Sequence, residues 1–271
     1  MRFAKLHGLG NDFVLFDLRG DPSGAPPAPP RAAALCDRHR GIGADGVLTL
    51  LAAPGAAARL VIHNPDGSRP EMCGNGVRAA ALWIATEGGT TLPLAQGATV
   101  LLETDAGPRP CRVWADSPAL GEVEVGMGQA RLEPTRELAI GPRRQPAWPV
   151  SMGNPHRVLF LDVPRAELRR LAETEGPALC SAENANIELV SQLGPQRYAC
   201  VVYERGAGLT QACGTGACAV AAAAVASGAA RSSEKIVVEL PGGPLSIRVA
   251  ADFSEVALRG PAQLVFVGEV G

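Results

Sequence analysis

Residues 72–85 read MCGNGVRAAALWIA, which is one cysteine, Cys73, followed by small residues and then an apolar run. Residues 212–226 read ACGTGACAVAAAAVA and place Cys213 in the same context, 140 positions after Cys73. Small residues behind a cysteine let a ligand approach the backbone, and the apolar run predicts a buried helix. The sequence therefore predicts two buried helices, each beginning at a cysteine.

Two further pairs of segments repeat in the same order. GNDFVLFD (10–17) matches GNPHRVLFLD (153–162), and both predict a Gly-Asn turn entering an apolar strand. VLLETDAGPRPCRVWAD (100–116) aligns without gaps on IVVELPGGPLSIRVAAD (236–252), and both predict two strands joined by a Gly-Pro turn. Colinear repeats of this kind indicate an internal duplication.

The duplication predicts an α+β fold with two similar, pseudo-symmetric lobes. We expect an N-terminal lobe at 1–130 that carries Cys73 and a C-terminal lobe at 147–271 that carries Cys213, joined by a linker at 131–146. A two-lobed protein of this type is expected to bind its ligand in the cleft between the lobes.

The composition excludes several classes of function. The 271 residues include 25 basic and 27 acidic side chains and no cationic run, so neither nucleic acid nor a membrane surface is an expected partner. The N-terminus does not resemble a secretory signal, and the longest apolar run is too short to span a membrane, which favours a cytoplasmic protein. Seven scattered cysteines favour a reducing compartment, and the histidine and cysteine spacings predict no metal site.

Cysteines at helix starts suit one reaction in particular. The positive end of a helix lowers the pKa of a nearby thiol and attracts carboxylates. If Cys73 and Cys213 face one another, one thiolate can remove a Cα proton and one thiol can return a proton to the opposite face, which inverts the centre. Pyridoxal phosphate would require a Schiff-base lysine, and neither Lys5 nor Lys235 has a suitable context, so we expect no cofactor. The remaining cysteines are interpreted as buried apolar residues: Cys36, Cys111, Cys180, Cys200 and Cys218.

Three strings are especially specific: NPDGSRPEMCGNG (64–76), SMGNPH (151–156) and ERGAGLTQACGTGA (204–217). With them the chain resembles the diaminopimelate epimerases from HGLGNDF near its start to GPAQLVFVGEV at its end. The resemblance implies lobes that are each a β-sheet around a central helix. It also implies interconversion of LL- and meso-2,6-diaminopimelate in lysine and peptidoglycan precursor biosynthesis, by a homodimeric cytoplasmic enzyme without cofactor.

The same resemblance assigns the site residues. Those with catalytic roles are Cys73, Cys213, His156 and Glu204. Those that bind substrate are Asn11, Asn64, Gly74, Asn75, Asn154, Asn186, Glu204, Arg205, Gly214 and Thr215. Taken alone, His156 would be interpreted as a structural residue near a turn, and Asn11 and Asn64 as turn residues.

Two positions depart from the family. Gly46 stands where some members carry a substrate-contacting Gln, so that contact does not transfer, and Arg69 stands where an acidic residue is frequent. In favour of the transfer, Asn64 lies nine positions before Cys73 just as Glu204 lies nine before Cys213.

Two rival functions remain open. One is a two-cysteine racemase of the same fold that acts on proline, hydroxyproline or histidine. A substrate without a second carboxylate would leave Arg205 and its neighbouring asparagines unpaired, at about 1–3 kcal/mol per group. The other rival is a redox or ligand-binding protein in which Cys73 and Cys213 form a reversible disulfide, and it gives those polar residues no role.

Overall fold

The computed structural model describes residues 1–87 and 90–271. The chain folds into two α+β units. The first unit combines Met1–Val125 with Arg259–Gly271, and the second unit is Gly126–Leu258. The α+β class and the two-lobed organisation are as predicted.

The described residues of the N-terminal part of the chain form seven strands and two helices. They are β1 (Arg2–Gly8), β2 (Asn11–Asp17), α1 (Pro29–Cys36), β3 (Gly46–Leu51), β4 (Ala58–His63), α2 (Gly74–Thr86), β5 (Ala98–Thr104), β6 (Gly107–Ser117) and β7 (Leu120–Gly128).

The remainder of the chain repeats this pattern with additions. Its elements are β8 (Arg131–Leu132), β9 (Arg136–Ile140), β10 (Arg143–Ser151), β11 (Pro155–Phe160), α3 (Arg165–Glu183), β12 (Asn186–Gly194), β13 (Arg197–Glu204), β14 (Gly208–Leu209), α4 (Gly214–Ala226), β15 (Ile236–Leu240), β16 (Gly243–Val249) and β17 (Val256–Glu269).

The first unit is a closed β-barrel around α2. Strands β1 to β7 pair successively, β7 pairs with β17, and β17 returns to β1. Burial alternates along β6 and β7, as expected for strands with one face toward a core. Eleven of the thirteen residues of α2 are buried, because strands surround the helix. α1 packs outside, against β3.

The second unit surrounds α4 in the same way. Strands β10, β11, β12, β13, β15 and β16 pair in that order, while β8 and β9 pair with β10. α4 contacts all six strands of this series and is almost entirely alanine, valine and glycine, so the strands can approach its backbone closely. The amphipathic α3 covers β12 and β13 on the outside and buries Leu168, Ala172 and Cys180.

Strand registers confirm the duplication residue by residue. Each pair of facing residues in the first unit has a counterpart in the second unit further along the sequence. The shift in residue number is 136 for the β5–β6 pairing and 140 for the β3–β4 pairing. The matched pairs are Thr104–Gly107 with Leu240–Gly243, and Val47–His63 with Ile187–Tyr203.

The observed units differ from the predicted lobes at their boundaries. Residues 131–146, predicted as a linker, form β8, β9 and the start of β10, because their backbone groups complete hydrogen-bonded pairs on β10. The last strand belongs to the first unit from Arg259 onward, since β17 pairs with β1. Across 1–87 and 90–271, no helix is long and apolar enough to cross a membrane.

Candidate active site

Cys73 occupies the N-cap of α2, as predicted. Its backbone is extended (φ −140°, ψ 112°), and its carbonyl accepts the first helical hydrogen bond from Val77 at 2.9 Å. The first-turn residues Gly74, Asn75 and Gly76 precede any helical carbonyl partner. A helix start of this kind is a favourable place for a carboxylate beside the sulfur.

A directional chain of hydrogen bonds lies beside Cys73. Arg78 Nη2 donates to Asn75 Oδ1 at 2.9 Å, and Asn75 Nδ2 donates to Asn11 Oδ1 at 3.0 Å. Asn11 Nδ2 in turn donates to Asp45 Oδ2 at 3.0 Å. The Cys73 thiol lies 3.9 Å from Asn11 Oδ1. The chain fixes the direction of the Asn11 amide next to the sulfur.

Charged residues fix Asp45, the last residue of this series of hydrogen bonds. Arg38 Nη2 donates to Asp12 Oδ1 at 2.7 Å and to Asp45 Oδ1 at 2.8 Å, and Lys5 Nζ lies 2.6 Å from Asp12. Burial alone would raise the pKa of Asp12, but the hydrogen bonds from Arg38 and Lys5 outweigh it and lower that pKa to about 2. The network keeps Asp45 in place as the acceptor for Asn11.

Three other first-unit residues take definite positions. Asn64 Nδ2 donates to Ser68 Oγ at 2.9 Å, so its side chain is held in its own turn. A Cβ at Gly46 would lie 2.7 Å from the His63 carbonyl oxygen, so the position has no room for a glutamine side chain unless that backbone shifts. Arg69 makes a bidentate ion pair with Asp105, at 2.7 and 3.0 Å, which gives this departure a structural role.

Cys213 repeats the arrangement at the N-cap of α4, with φ −115° and ψ 110°. Its carbonyl accepts from Ala217 at 3.0 Å, and its sulfur accepts from the Gly216 backbone N–H at 3.3 Å. The Thr215 hydroxyl lies 3.5 Å from the sulfur. The second predicted helix start is therefore present with the predicted residues.

The electrostatics at Cys213 differ from the sequence-based expectation. Burial raises the pKa of Cys213 well above its usual range, and the carboxylates of Glu204 and Glu188 raise it further. Hydrogen bonds from Thr215 and Gly216 oppose this but are outweighed. The net pKa of Cys213 is therefore raised, contrary to the expectation from the helix start alone, although the Gly216 hydrogen bond at that helix start lowers it.

His156 lies in a continuous polar chain below α4. Its Nε2 is 3.0 Å from Asn154 Oδ1, and its Nδ1 is 2.7 Å from Glu188 Oε1. Asn154 Nδ2 donates to Thr215 Oγ1 at 3.3 Å. The structure thus connects three of the predicted site residues, His156, Asn154 and Thr215, with Cys213.

Glu204 interacts electrostatically with Cys213. Thr210 Oγ1 donates a hydrogen bond to Glu204 Oε1, and an interaction with Cys213 lowers the pKa of Glu204. Burial raises the pKa of Glu204, and these interactions and the charge of His156 moderate the effect. A carboxylate held in this way can exchange a proton with the adjacent thiol.

Asn186 and Arg205 are adjacent at the ends of β12 and β13. Asn186 is buried, and its Oδ1 accepts from the Arg205 backbone N–H at 2.8 Å. The exposed Arg205 guanidinium donates to the carbonyl and side-chain oxygens of Asn184, at 3.3 and 3.1 Å. These neutral acceptors leave the guanidinium charge available to a carboxylate ligand.

Sequence reasoning missed three polar residues of these networks: Asp45, Arg78 and Glu188. Arg78 and Glu188 are completely buried, and both interrupt otherwise apolar segments, GNGVRAAALW and NIELV. A charged residue inside a predicted buried element is the signal that could have identified them, because such residues are seldom buried without a partner.

Lys5, one of the two lysines, is buried, and its Nζ contacts Asp12 and the Gly43 carbonyl oxygen. Lys5 is therefore an ion-pair partner of Asp12 in this structure. In the described part of the chain, no three His, Cys, Asp or Glu side chains are grouped so that they could hold a metal ion.

Comparison with known proteins identifies the family. The sequence profile of the family named diaminopimelate epimerase matches residues 3–133 and 149–265. The diaminopimelate epimerase of Cyanothece sp. (strain PCC 7425 / ATCC 29141) is 40% identical over 287 residues, covering 99% of both chains. That of Acidiphilium cryptum (strain JF-5) is 40% identical over 274 residues, covering 99% of this chain and 95% of its own.

Solved structures show the same fold at low identity. A hydroxyproline epimerase from Agrobacterium vitis matches with a TM-score of 0.72 and 16% identity, covering 100% of this chain and 90% of its own. A phenazine biosynthesis protein from Bacillus anthracis matches with a TM-score of 0.75 and 15% identity, covering 100% and 99%. The fold is therefore shared by proteins with different activities and does not by itself identify the family. The 40% identity with diaminopimelate epimerases over almost the whole chain does identify it. The chain belongs to the diaminopimelate epimerase family of isomerases.

Proposed function

We propose that this protein interconverts LL- and meso-2,6-diaminopimelate without a cofactor, using Cys73 and Cys213 on opposite faces of the reacting Cα. The observation that carries the proposal is the duplicated helix start. Each unit places a cysteine at the N-cap of a buried helix, followed by Gly-Asn-Gly or Gly-Thr-Gly. That this occurs in a chain whose relatives are named for this epimerase supports the substrate.

The proposed chemistry is two proton transfers. A thiolate removes the Cα proton and becomes a thiol, and the other thiol gives its proton to the opposite face of the carbanion and becomes a thiolate. The raised pKa of Cys213 favours Cys213 as the thiol that donates, with Cys73 as the base in that direction. Glu204, whose carboxylate interacts with Cys213, is the acceptor for the thiol proton when the roles are exchanged.

The reacting carboxylate is proposed to bind at the helix starts. Gly74 and Asn75 in α2, and Gly214 and Thr215 in α4, supply first-turn amides that carry the positive end of each helix. Negative charge that develops on the carbanion and spreads into the carboxylate would be stabilised there more than the charge of the ground state, which is the requirement for catalysis.

The non-reacting amino-acid end is proposed to bind the other polar residues: Asn11, Asn64, Asn154, Asn186 and Arg205. The exposed Arg205 guanidinium suits the distal carboxylate, and the Asn side chains supply donors and acceptors for the distal ammonium and carboxylate groups. Proline or histidine has no second carboxylate, so this set favours diaminopimelate over the other racemase substrates.

The biological setting follows from the proposed substrate. We place the reaction in lysine and peptidoglycan precursor biosynthesis, in the cytoplasm, by a homodimer. The structural use of Lys5 supports a mechanism that needs no pyridoxal phosphate.

The decisive experiment is to incubate the purified, reduced protein with LL-diaminopimelate in deuterium oxide. Chiral chromatography measures the isomers and mass spectrometry measures deuterium at Cα. We expect meso product that carries solvent deuterium. Absence of both inversion and exchange in a folded, reduced sample would refute the proposal, and proline, hydroxyproline and histidine would then be tested in the same way.

Controlled oxidation separates the epimerase from a redox protein. If Cys73 and Cys213 act as acid and base, a disulfide between them abolishes inversion and a reductant restores it. Full inversion by protein shown by mass spectrometry to carry that disulfide would contradict the two-thiol mechanism.

A further inference from the structure

The His156–Glu188 pair is a costly feature of the second unit. Both side chains are completely buried, and His156 Nδ1 lies 2.7 Å from Glu188 Oε1. The other carboxylate oxygen, Oε2, has no hydrogen-bond partner among the described residues. Burying a carboxylate with one oxygen unpaired disfavours folding, so its presence calls for a functional reason.

The fold itself does not require this pair. The parallel strand pairs β2–β3 and β11–β12 have equivalent registers, so His156 corresponds to Phe13 and Glu188 corresponds to Leu48. Phe13 is 2% exposed and Leu48 is completely buried. The first unit therefore builds the same two positions from apolar side chains.

The helix starts confirm that these positions are equivalent. A Cβ built at Gly76 would lie 3.0 Å from Leu48 Cδ2, and one built at Gly216 would lie 2.9 Å from Glu188 Oε1. In each unit the residue on the third strand packs under the first turn of the central helix. The units differ in chemistry at this point and not in architecture.

The pair is connected to the reactive sulfur of its own unit. Glu188 contacts His156, and His156 Nε2 lies 3.0 Å from Asn154 Oδ1. Asn154 Nδ2 donates to Thr215 Oγ1 at 3.3 Å, and that hydroxyl lies 3.5 Å from Cys213 Sγ. A carboxylate can only accept, so the ring must donate from Nδ1. Asn154 Oδ1 can also only accept, so Nε2 must donate to it across the 3.0 Å contact.

We propose that Glu188 is a positioning residue for the epimerase reaction. By accepting from His156 Nδ1 it fixes the imidazole, and through the imidazole the Asn154 amide and the Thr215 hydroxyl beside Cys213. This inference rests on the proposed function. The contacts transmit orientation and not a proton, because an amide does not readily take up and release one.

The first test compares variants by kinetics with diaminopimelate. Glu188→Leu introduces leucine, the residue that the first unit has at the equivalent position, Leu48. We expect kcat to fall at least about thirtyfold with KM changed less than about threefold, since orienting partners of catalytic groups typically contribute factors of ten to a hundred or more. Glu188→Gln keeps an acceptor oxygen and is expected to retain at least about threefold more activity than Glu188→Leu. Glu234→Gln, on an exposed ion pair with Arg231, is the matched control.

A double variant keeps this test interpretable if the single one is unstable. His156→Phe with Glu188→Leu reproduces the apolar pair of the first unit, and such replacements of buried ion pairs are often neutral or stabilising. We expect a folded protein with strongly reduced kcat. Wild-type kcat in this double variant, or in folded Glu188→Leu, would overturn the proposal.

Nitrogen-15 NMR of histidine-labelled wild-type protein gives a readout that does not depend on activity. We expect the His156 Nδ1 to carry a proton, with the signal assigned by its loss in His156→Phe. A neutral ring protonated at Nε2 alone would overturn the inference. Wild-type protein that fails to invert diaminopimelate would instead refute the proposed function, and the NMR result would still decide the ring state.

Discussion

Gly216→Ala is expected to impair catalysis more than the matched change Gly76→Ala. The added Cβ at 216 would lie 2.9 Å from Glu188 Oε1 and 3.2 Å from Cys213 Sγ. At 76 the added Cβ would lie 3.0 Å from the end of the Leu48 side chain and 3.7 Å from Cys73 Cβ, which is an ordinary contact. Leu48 can move its terminal methyl group, but Glu188 is held by His156, so in the second unit the sulfur must move.

The magnitudes follow from these contacts. Overpacking costs about 1–3 kcal/mol, and Gly to Ala inside a helix returns about 1 kcal/mol, so we expect a net destabilisation of about 0–2 kcal/mol in each variant. A catalytic group displaced by about 1 Å can cost about a hundredfold in rate, so a shift of a few tenths of an ångström predicts about a three- to tenfold loss. A weakened Gly216 N–H to sulfur bond adds a few-fold more, at about 1 kcal/mol.

The assay measures kcat and KM for both directions of diaminopimelate inversion, with thermal unfolding of each variant as the control for stability. We expect kcat to fall about tenfold or more in Gly216→Ala and less than about threefold in Gly76→Ala, while their melting temperatures stay within a few degrees of each other. Equal losses of kcat in the two variants would refute the argument that the locked Glu188 forces the sulfur to move.

Three further predictions concern the site residues directly. Cys73→Ala and Cys213→Ala should each abolish inversion measured by chiral chromatography, and full inversion by either variant would contradict the acid–base scheme. Arg205→Ala should lower kcat/KM for diaminopimelate about ten- to a hundredfold through loss of the distal ion pair, while both thiols still react with an alkylating agent; unchanged kinetics would remove the distal-carboxylate assignment. Glu204→Gln should lower kcat yet raise stability at pH 8. Burial raises the folded-state pKa of Glu204, so its stabilising contribution is present below the unfolded pKa near 4.5 and is lost as pH rises through the folded value. The gain from Glu204→Gln in urea unfolding should therefore vanish by pH 4, and a gain independent of pH would contradict it.

The sequence predicted the elements that have strong local signals. The cysteine-capped helices were predictable because small residues and long apolar runs mark them, and the hairpins at 100–116 and 236–252 because each carries a turn between alternating strands. The place of β17 was not predictable, since pairing of the last strand with β1 is a contact between distant parts of the chain. The raised pKa of Cys213 was missed for a similar reason, because burial and the carboxylates of Glu188 and Glu204 come from tertiary packing.

The differences between the units bear on how a duplicated fold carries out an asymmetric task. Backbone registers and helix starts are matched, yet the positions of Phe13 and Leu48 are taken by His156 and Glu188 in the second unit. In the proposed reaction one sulfur must be a thiol while the other is a thiolate, so identical surroundings would give the two sulfurs no basis for different protonation states. Charged partners near Cys213, and their apolar counterparts in the first unit, supply that basis. Duplication thus explains the two helix starts, and divergence below the helix gives the two sulfurs different surroundings.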